Sequence, residues 1–110
     1  MGYIRHHAII VTCSESDLLI AAHKKAESLE LPVTPIVPVA NFYYSFCVVP
    51  DGGKEGWGWS NKMNEMRVSF IEWMRHIHLY DWVEVLFGDE QGPAQILGQS
   101  GVTTPRANKD

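Results

Sequence analysis

The densest chemical signal lies between residues 51 and 62, which read Asp-Gly-Gly-Lys-Glu-Gly-Trp-Gly-Trp-Ser-Asn-Lys. Glycines let a backbone approach a ligand closely. Lys54 and Lys62 bring positive charge, and Ser60 or Asn61 can cap a following helix whose N-terminus attracts anions. Trp57 and Trp59 offer flat apolar surface on which a base or another planar ring can stack. Together these residue types suit a small anionic, nucleotide-like ligand. The spacing is not that of a Walker loop. The alternative reading is a long strand-to-helix connection whose tryptophans pack on the sheet or on a partner subunit.

Other reactive residues form weaker patterns. His6-His7 and His76-x-His78 are the paired histidines, and neither pair has the Cys or carboxylate spacing of a zinc motif. No metal or cofactor is implied. Ser14 beside Cys13 reads as a helix cap, His23 with Glu27 as an i, i+4 surface pair, and Asp89-Glu90 as a polar turn. No GxSxG or HExxH signature occurs, so the chain reads as a non-enzyme. Phe42, Tyr44 and Phe46 alternate along Phe42–Val49, like the base-stacking rings of an RNA-recognition strand. The companion aromatic is missing from Ala8–Cys13, and Asn41 stands where that motif has a basic residue. A second copy of the chain covering these rings is the preferred reading, so a homodimer or larger even oligomer is expected.

These residues must be positioned by short elements. His7–Cys13 is a β-branched run that predicts a buried strand. Ser14 with Asp17 has capping-box form, and Leu18, Ala22, Ala26 and Leu29 then recur at helical spacing, predicting a helix near 14–30. Prolines at 32, 35 and 38 confine the next segment to a sheet edge or an extended arm. Phe42–Val49 is the strongest strand. Met63, Met66, Phe70, Trp73 and Ile77 form one stripe of a helix near 60–78. Trp82–Phe87 alternates as a strand, and Ala94–Leu97 would close a hairpin as a fifth.

The resulting βαββαβ order predicts an α+β fold, the ferredoxin-like sandwich with sheet order 4-1-3-2 and both helices on one face. Residues 1–97 form the single domain and 98–110 a flexible polar tail. In that topology the start of strand 1 lies beside the ends of strands 3 and 4. His6, His7, Lys54, Trp57, Trp59, Asn61 and Lys62 should then converge on one ligand site.

Composition bounds these readings. The 110 residues suffice for one core, with 45% hydrophobic and 20% charged residues. The net charge of −4 argues against a general nucleic-acid or membrane-surface binder. No apolar run is long enough for a membrane span and the N-terminus lacks a signal-peptide core, so a cytoplasmic location is expected. Cys13 and Cys47 sit in apolar runs and read as buried, reduced thiols.

Several phrases, Ile4–Thr12, Ala22–Ala26, Pro50–Trp57, Phe70–Trp73 and Asp81–Val85, resemble small uncharacterised proteins encoded by bacteriophages. The resemblance spans about residues 4–97. It implies phage origin and action in the host cytoplasm, and it carries no catalytic residues. Two function classes follow: a non-enzymatic oligomeric binder of a small anionic ligand at the Gly-Trp loop, or a partner-binding module using its aromatic sheet face and proline-rich edge.

Overall fold

Along the first strand, side chains alternate between complete burial and exposure. Ile9 and Val11 are fully buried and Cys13 nearly so, while Ile10 between them is 43% exposed. A strand sends successive side chains to opposite faces, so one face of this sheet is covered and the other open. The computed structural model describes residues 5–53, 57–88 and 92–101. In chain order the elements are β1 (His6–Cys13), α1 (Ser16–Ser28), β2 (Val37–Pro38), a short 3-10 turn (Ala40–Phe42), β3 (Tyr44–Val48), α2 (Gly58–Ile77), β4 (Asp81–Phe87) and β5 (Gln95–Gln99).

The fold is α+β, with two helices and one five-stranded antiparallel sheet in the order β2-β3-β1-β4-β5. The fifth strand expected near 94–97 is present as β5 and lies outside β4, so β4 is not an edge as the order 4-1-3-2 by itself would make it. The domain also does not end at 97. Gly98 pairs with Glu84 and Gln99 with Val83, and the Ser100 N–H donates to the Trp82 carbonyl at 2.9 Å. Backbone pairing does not need apolar side chains, which is why polar residues 98–100 belong to the sheet. A bulge at Glu84/Val85 makes Leu97 the extra residue, and it turns inward.

Proline chemistry shortens β2. Only Val37 and Pro38 pair as strand, and Val33 makes an isolated bridge to Val48. The rest of the arm docks irregularly on β3. Thr34 N–H donates to the Cys47 carbonyl, Cys47 N–H to Thr34 Oγ1 and Val49 N–H to the Pro32 carbonyl, each at 2.9 Å. Asn41 and Phe42 both have φ of 63°, so the strand begins at Tyr44 rather than at Phe42.

The aromatic strand faces opposite to expectation. Phe46 pairs with Val11 and Tyr44 with Cys13, on the helix side. Phe46 is 2% exposed and Tyr44 half-buried against the core, whereas Phe42, in the turn, is 86% exposed. The layer between sheet and helices needs large side chains to fill it, while Ser45 and Cys47 suit the open face. Rings run through that layer from the His23–Phe46 edge contact at 5.0 Å to Phe46–Phe70, Phe70–Trp73 and Trp73–Tyr80. Tyr80 then donates its hydroxyl to the Leu18 carbonyl at 2.7 Å, tying β4's approach to α1. His23 does pair with Glu27, Nδ1 3.6 Å from Oε1, but its ring is largely covered and its Nε2 lies 2.8 Å from the Thr34 carbonyl. Cys13 lies on the covered face and Cys47 on the open one, and both are free thiols. Burial raises the Cys47 thiol pKa, which keeps it protonated.

Helix ends show two local departures. Ser14 does not cap α1; Glu15 occupies the cap position without a side-chain bond, and its N–H faces Cys13 Sγ at 3.4 Å. At the other end Glu30 adopts φ 62°, Glu30 N–H reaches the Glu27 carbonyl and Leu31 N–H the Ala26 carbonyl. That is a Schellman ending with a glutamate where glycine is easiest.

On α2 the buried residues are Met63, Arg67, Phe70, Ile71 and Met74. Met66, Trp73 and Ile77 of the expected stripe are only partly buried. Arg67 is 1% exposed and donates to Asp51 Oδ2 at 3.0 Å, while Asp51 Oδ1 accepts the Gly53 N–H at 2.7 Å. Asp51 thus fixes the exit of β3 to the middle of α2. Asp51→Ala leaves a buried guanidinium uncompensated and should cost about 3–5 kcal/mol, whereas Asp51→Asn with Arg67→Met should recover most of that loss; urea unfolding midpoints measure both. Glu30→Gly should stabilise the protein by roughly 0.5–1 kcal/mol in the same assay.

Candidate functional site

The sequence-predicted site residues divide between the two faces of the sheet. His6 pairs with Phe87 on the open face, its ring 5.3 Å from the Phe87 ring. Gly88, at φ 102°, lies so close that a Cβ there would stand 2.7 Å from the His6 ring, so this turn accepts only glycine. His7 points the other way, with Nδ1 3.6 Å from Oε2 of fully buried Glu84. Trp57, Trp59, Asn61 and Lys62 stay together at the start of α2 through chain continuity. Both tryptophans are 51% exposed. Trp57 is the N-cap residue without a side-chain cap bond, its carbonyl accepting the Asn61 N–H at 2.9 Å. Lys62 Nζ is 3.6 Å from Glu30 Oε1. Lys54, Asp89 and Glu90 lie outside the described residues. Of the seven expected residues, His6 is across the sheet from α2, because adjacent strand positions face opposite ways.

A different cavity appears at the far end of α2. The helix stops at His78, whose φ of 63° turns the chain toward β4, with its N–H on the Met74 carbonyl at 3.3 Å. Tyr80 and Trp82 follow on the helix-facing side. Across β4, Ser100 clamps Trp82 twice: Trp82 N–H donates to Ser100 Oγ at 3.0 Å, and Ser100 N–H donates back to the Trp82 carbonyl. Gly98 lies against the indole, where a Cβ would stand 3.3 Å from Trp82 Cη2. Above the ring, the Arg75 guanidinium carbon is 5.1 Å from the Trp82 centroid. The result is a half-open cleft of about 400 Å³ lined by Met74, Arg75, His78, Tyr80, Trp82 and Ser100.

The lining has an apolar floor and a cationic rim. Met74, Tyr80 and Trp82 are buried, whereas Arg75 is partly exposed and His78 exposed. Burial, then the neighbouring Cys13 sulfur, raises the Tyr80 phenol pKa, so it remains a donor to Leu18 at neutral pH. Among the described residues no carboxylate belongs to the lining, in a chain of net charge −4. Such a surface attracts an anion while its rings receive apolar or planar surface.

Sequence reasoning missed this cleft because it depends on β5. Gln95–Gln99 carries little hydrophobic signal, and Ser100 reads as tail. The aromatic-basic signal itself, Arg75, His78, Tyr80 and Trp82 within eight residues, was legible. Among the described residues no group of three or more His, Cys, Asp or Glu is arranged to hold a metal ion. No described helix is long and apolar enough to cross a membrane. No protein family, curated protein or solved structure matches the chain. Gly98→Val should push the Trp82 ring off its seat and destabilise the protein by roughly 1–3 kcal/mol. Thermal unfolding would measure the loss, and near-ultraviolet circular dichroism the altered indole environment.

Proposed function

We propose that this chain is a non-enzymatic binding protein for a small ligand that joins a flat ring to an acidic group, such as a mononucleotide. The ligand occupies the cleft between the end of α2 and the β4–β5 hairpin. The observation that carries this reading is the Arg75 guanidinium stacked over Trp82 beside a cavity of about 400 Å³, a size typical of small-ligand sites. Arg75 and His78 meet the acidic group, and the apolar floor receives the ring. Ser100 Oγ is held by a backbone N–H, which suits an orienting role better than a nucleophilic one. We read the first four strands and two helices as a ferredoxin-like core with β5 added outside β4; the support is that β1 lies between antiparallel β3 and β4. The resemblance to small phage proteins would place this binding in the cytoplasm of an infected host.

A second reading keeps the ligand at the Gly-Trp loop, favoured by the half-exposed Trp57 and Trp59 at the uncapped start of α2. Calorimetric titration with adenosine monophosphate, adenosine and inorganic phosphate separates the readings. The monophosphate should bind, with the two fragments at least about tenfold weaker, and its affinity should fall as salt rises. Arg75→Ala should weaken it about tenfold or more, since a charge-assisted contact is lost. A loss on Trp57→Ala but not on Arg75→Ala would move the ligand to the loop. Absence of binding by all three compounds at millimolar concentration would defeat the proposal.

A further inference from the structure

We infer that the uncovered face of the sheet is a dimer interface, on which a second copy of this chain packs face to face with its strands reversed. The register defines that face. One row crosses the sheet as Cys47, Ile10, Val83 and Gln99, and the next as Ala8, Val85 and Ile96. Ile10 is 43% exposed and Ile96 55%, and Val37, opposite Ser45 at the β2 edge, is similarly open. Two adjacent rows of a central sheet are thus nearly all apolar and partly or wholly exposed, where a solvated sheet face ordinarily alternates to polar residues.

Three further observations point to a copy of the same chain. First, the hydroxyls on this face are already satisfied. Thr12 Oγ1 and Ser45 Oγ lie 3.0 Å apart, and Ser45 Oγ donates to the Val11 carbonyl at 2.9 Å. Removing water from them therefore leaves no orphaned group.

Second, among the described residues of these strands that share this face, the ionisable carboxylate and imidazole sit at opposite ends. Asp81 pairs with Thr12 at one end, and His6 with Phe87 at the other. A two-fold axis lying in the interface and crossing the strands brings Asp81 of each copy over the His6 end of its partner. The neutral, apolar middle meets itself, as an isologous interface core requires.

Third, the area is of the right order. The five strands, two to eight residues long and about 4.8 Å apart, give a footprint of about 400 Å² before side-chain relief is counted. That flat footprint is about half of the roughly 800 Å² per partner of a standard interface, and side-chain relief adds to it. The interface differs from the one the aromatic strand suggested, since Phe46 and Tyr44 are committed to the core. It is independent of the cleft, which opens on the helix side.

Sedimentation equilibrium on the full chain tests this. The wild type should have twice the 12.4 kDa mass of the chain at high micromolar concentration. Val85→Lys and Ile96→Lys should each raise the dimer dissociation constant roughly 100-fold or more, because each buries an unpaired charge. Ile96 is on an edge strand, so its variant carries the test should Val85→Lys fail to fold by circular dichroism. Leu79→Lys, at an exposed apolar residue outside the face, should leave the dimer unchanged. Asp81→Lys should weaken the dimer several-fold, and adding His6→Asp should restore it. A monomeric wild type, or a dimer indifferent to Ile96→Lys, would overturn the proposal; failure of the charge swap to restore association would overturn the reversed packing.

Discussion

The alternation of β1 is the constraint on which the rest of this structure depends. Ile9, Val11 and Cys13 are enclosed between β3 and β4 on either side and the helices above. Because register has a period of two, this one strand decides which residues of its neighbours turn inward. Val11 sets Phe46 and Trp82 against the helices; Ile10 sets Cys47 and Val83 against water. Shifting either pairing by one residue would exchange a ring-filled core for Ser45, Cys47 and Val83.

The inward face is not purely apolar. Arg67 with Asp51 places an ion pair where exposure is nearly nil, and fully buried Glu84 lies 3.6 Å from the partly buried His7 ring. Such pairs contribute little net stability against their desolvation, but they penalise arrangements that leave either partner alone. Asp51 lies three residues past β3 and Arg67 in the middle of α2, so their pairing sets where the long connection begins relative to the helix. The ring contacts from Phe46 to Tyr80 do the complementary work at the other end of α2. Between them, the helix is fixed in translation along the sheet, and its last turn is delivered to Trp82.

Two surfaces with different chemistry result. On the helix side, β5 adds an edge beyond β4 and converts the flank of Trp82 from open surface into the wall of a cleft. Arg75 places a guanidinium at the rim of that cleft, with the His78 ring beside it. On the other side, the apolar residues that β1, β4 and β5 cannot direct inward form a neutral field with hydroxyls already bonded. The two surfaces lie on opposite sides of the sheet, so neither blocks the other.

Element types were determined locally. β-branched runs, proline spacing and the apolar stripe of α2 are properties of a few neighbouring residues, and the α+β class with an edge-bound proline arm follows from them. Facing and pairing were not legible. Phe42, Tyr44 and Phe46 look like one exposed stripe in sequence, yet a strand's two faces are equivalent until a helix layer covers one. Nothing local marks Arg67 as buried, because its partner Asp51 is sixteen residues away. Residues 98–100 read as tail because ladder hydrogen bonds belong to the backbone and leave no mark on side-chain pattern. His6 and His7, adjacent in the chain, end on opposite sides of the sheet, and Trp82 meets Ser100 only through β4–β5 pairing. The sequence by itself determined which segments are strands and helices, since that depends on near neighbours; the tertiary structure alone decided which residues share a site, since that depends on register and on which face the helices bury.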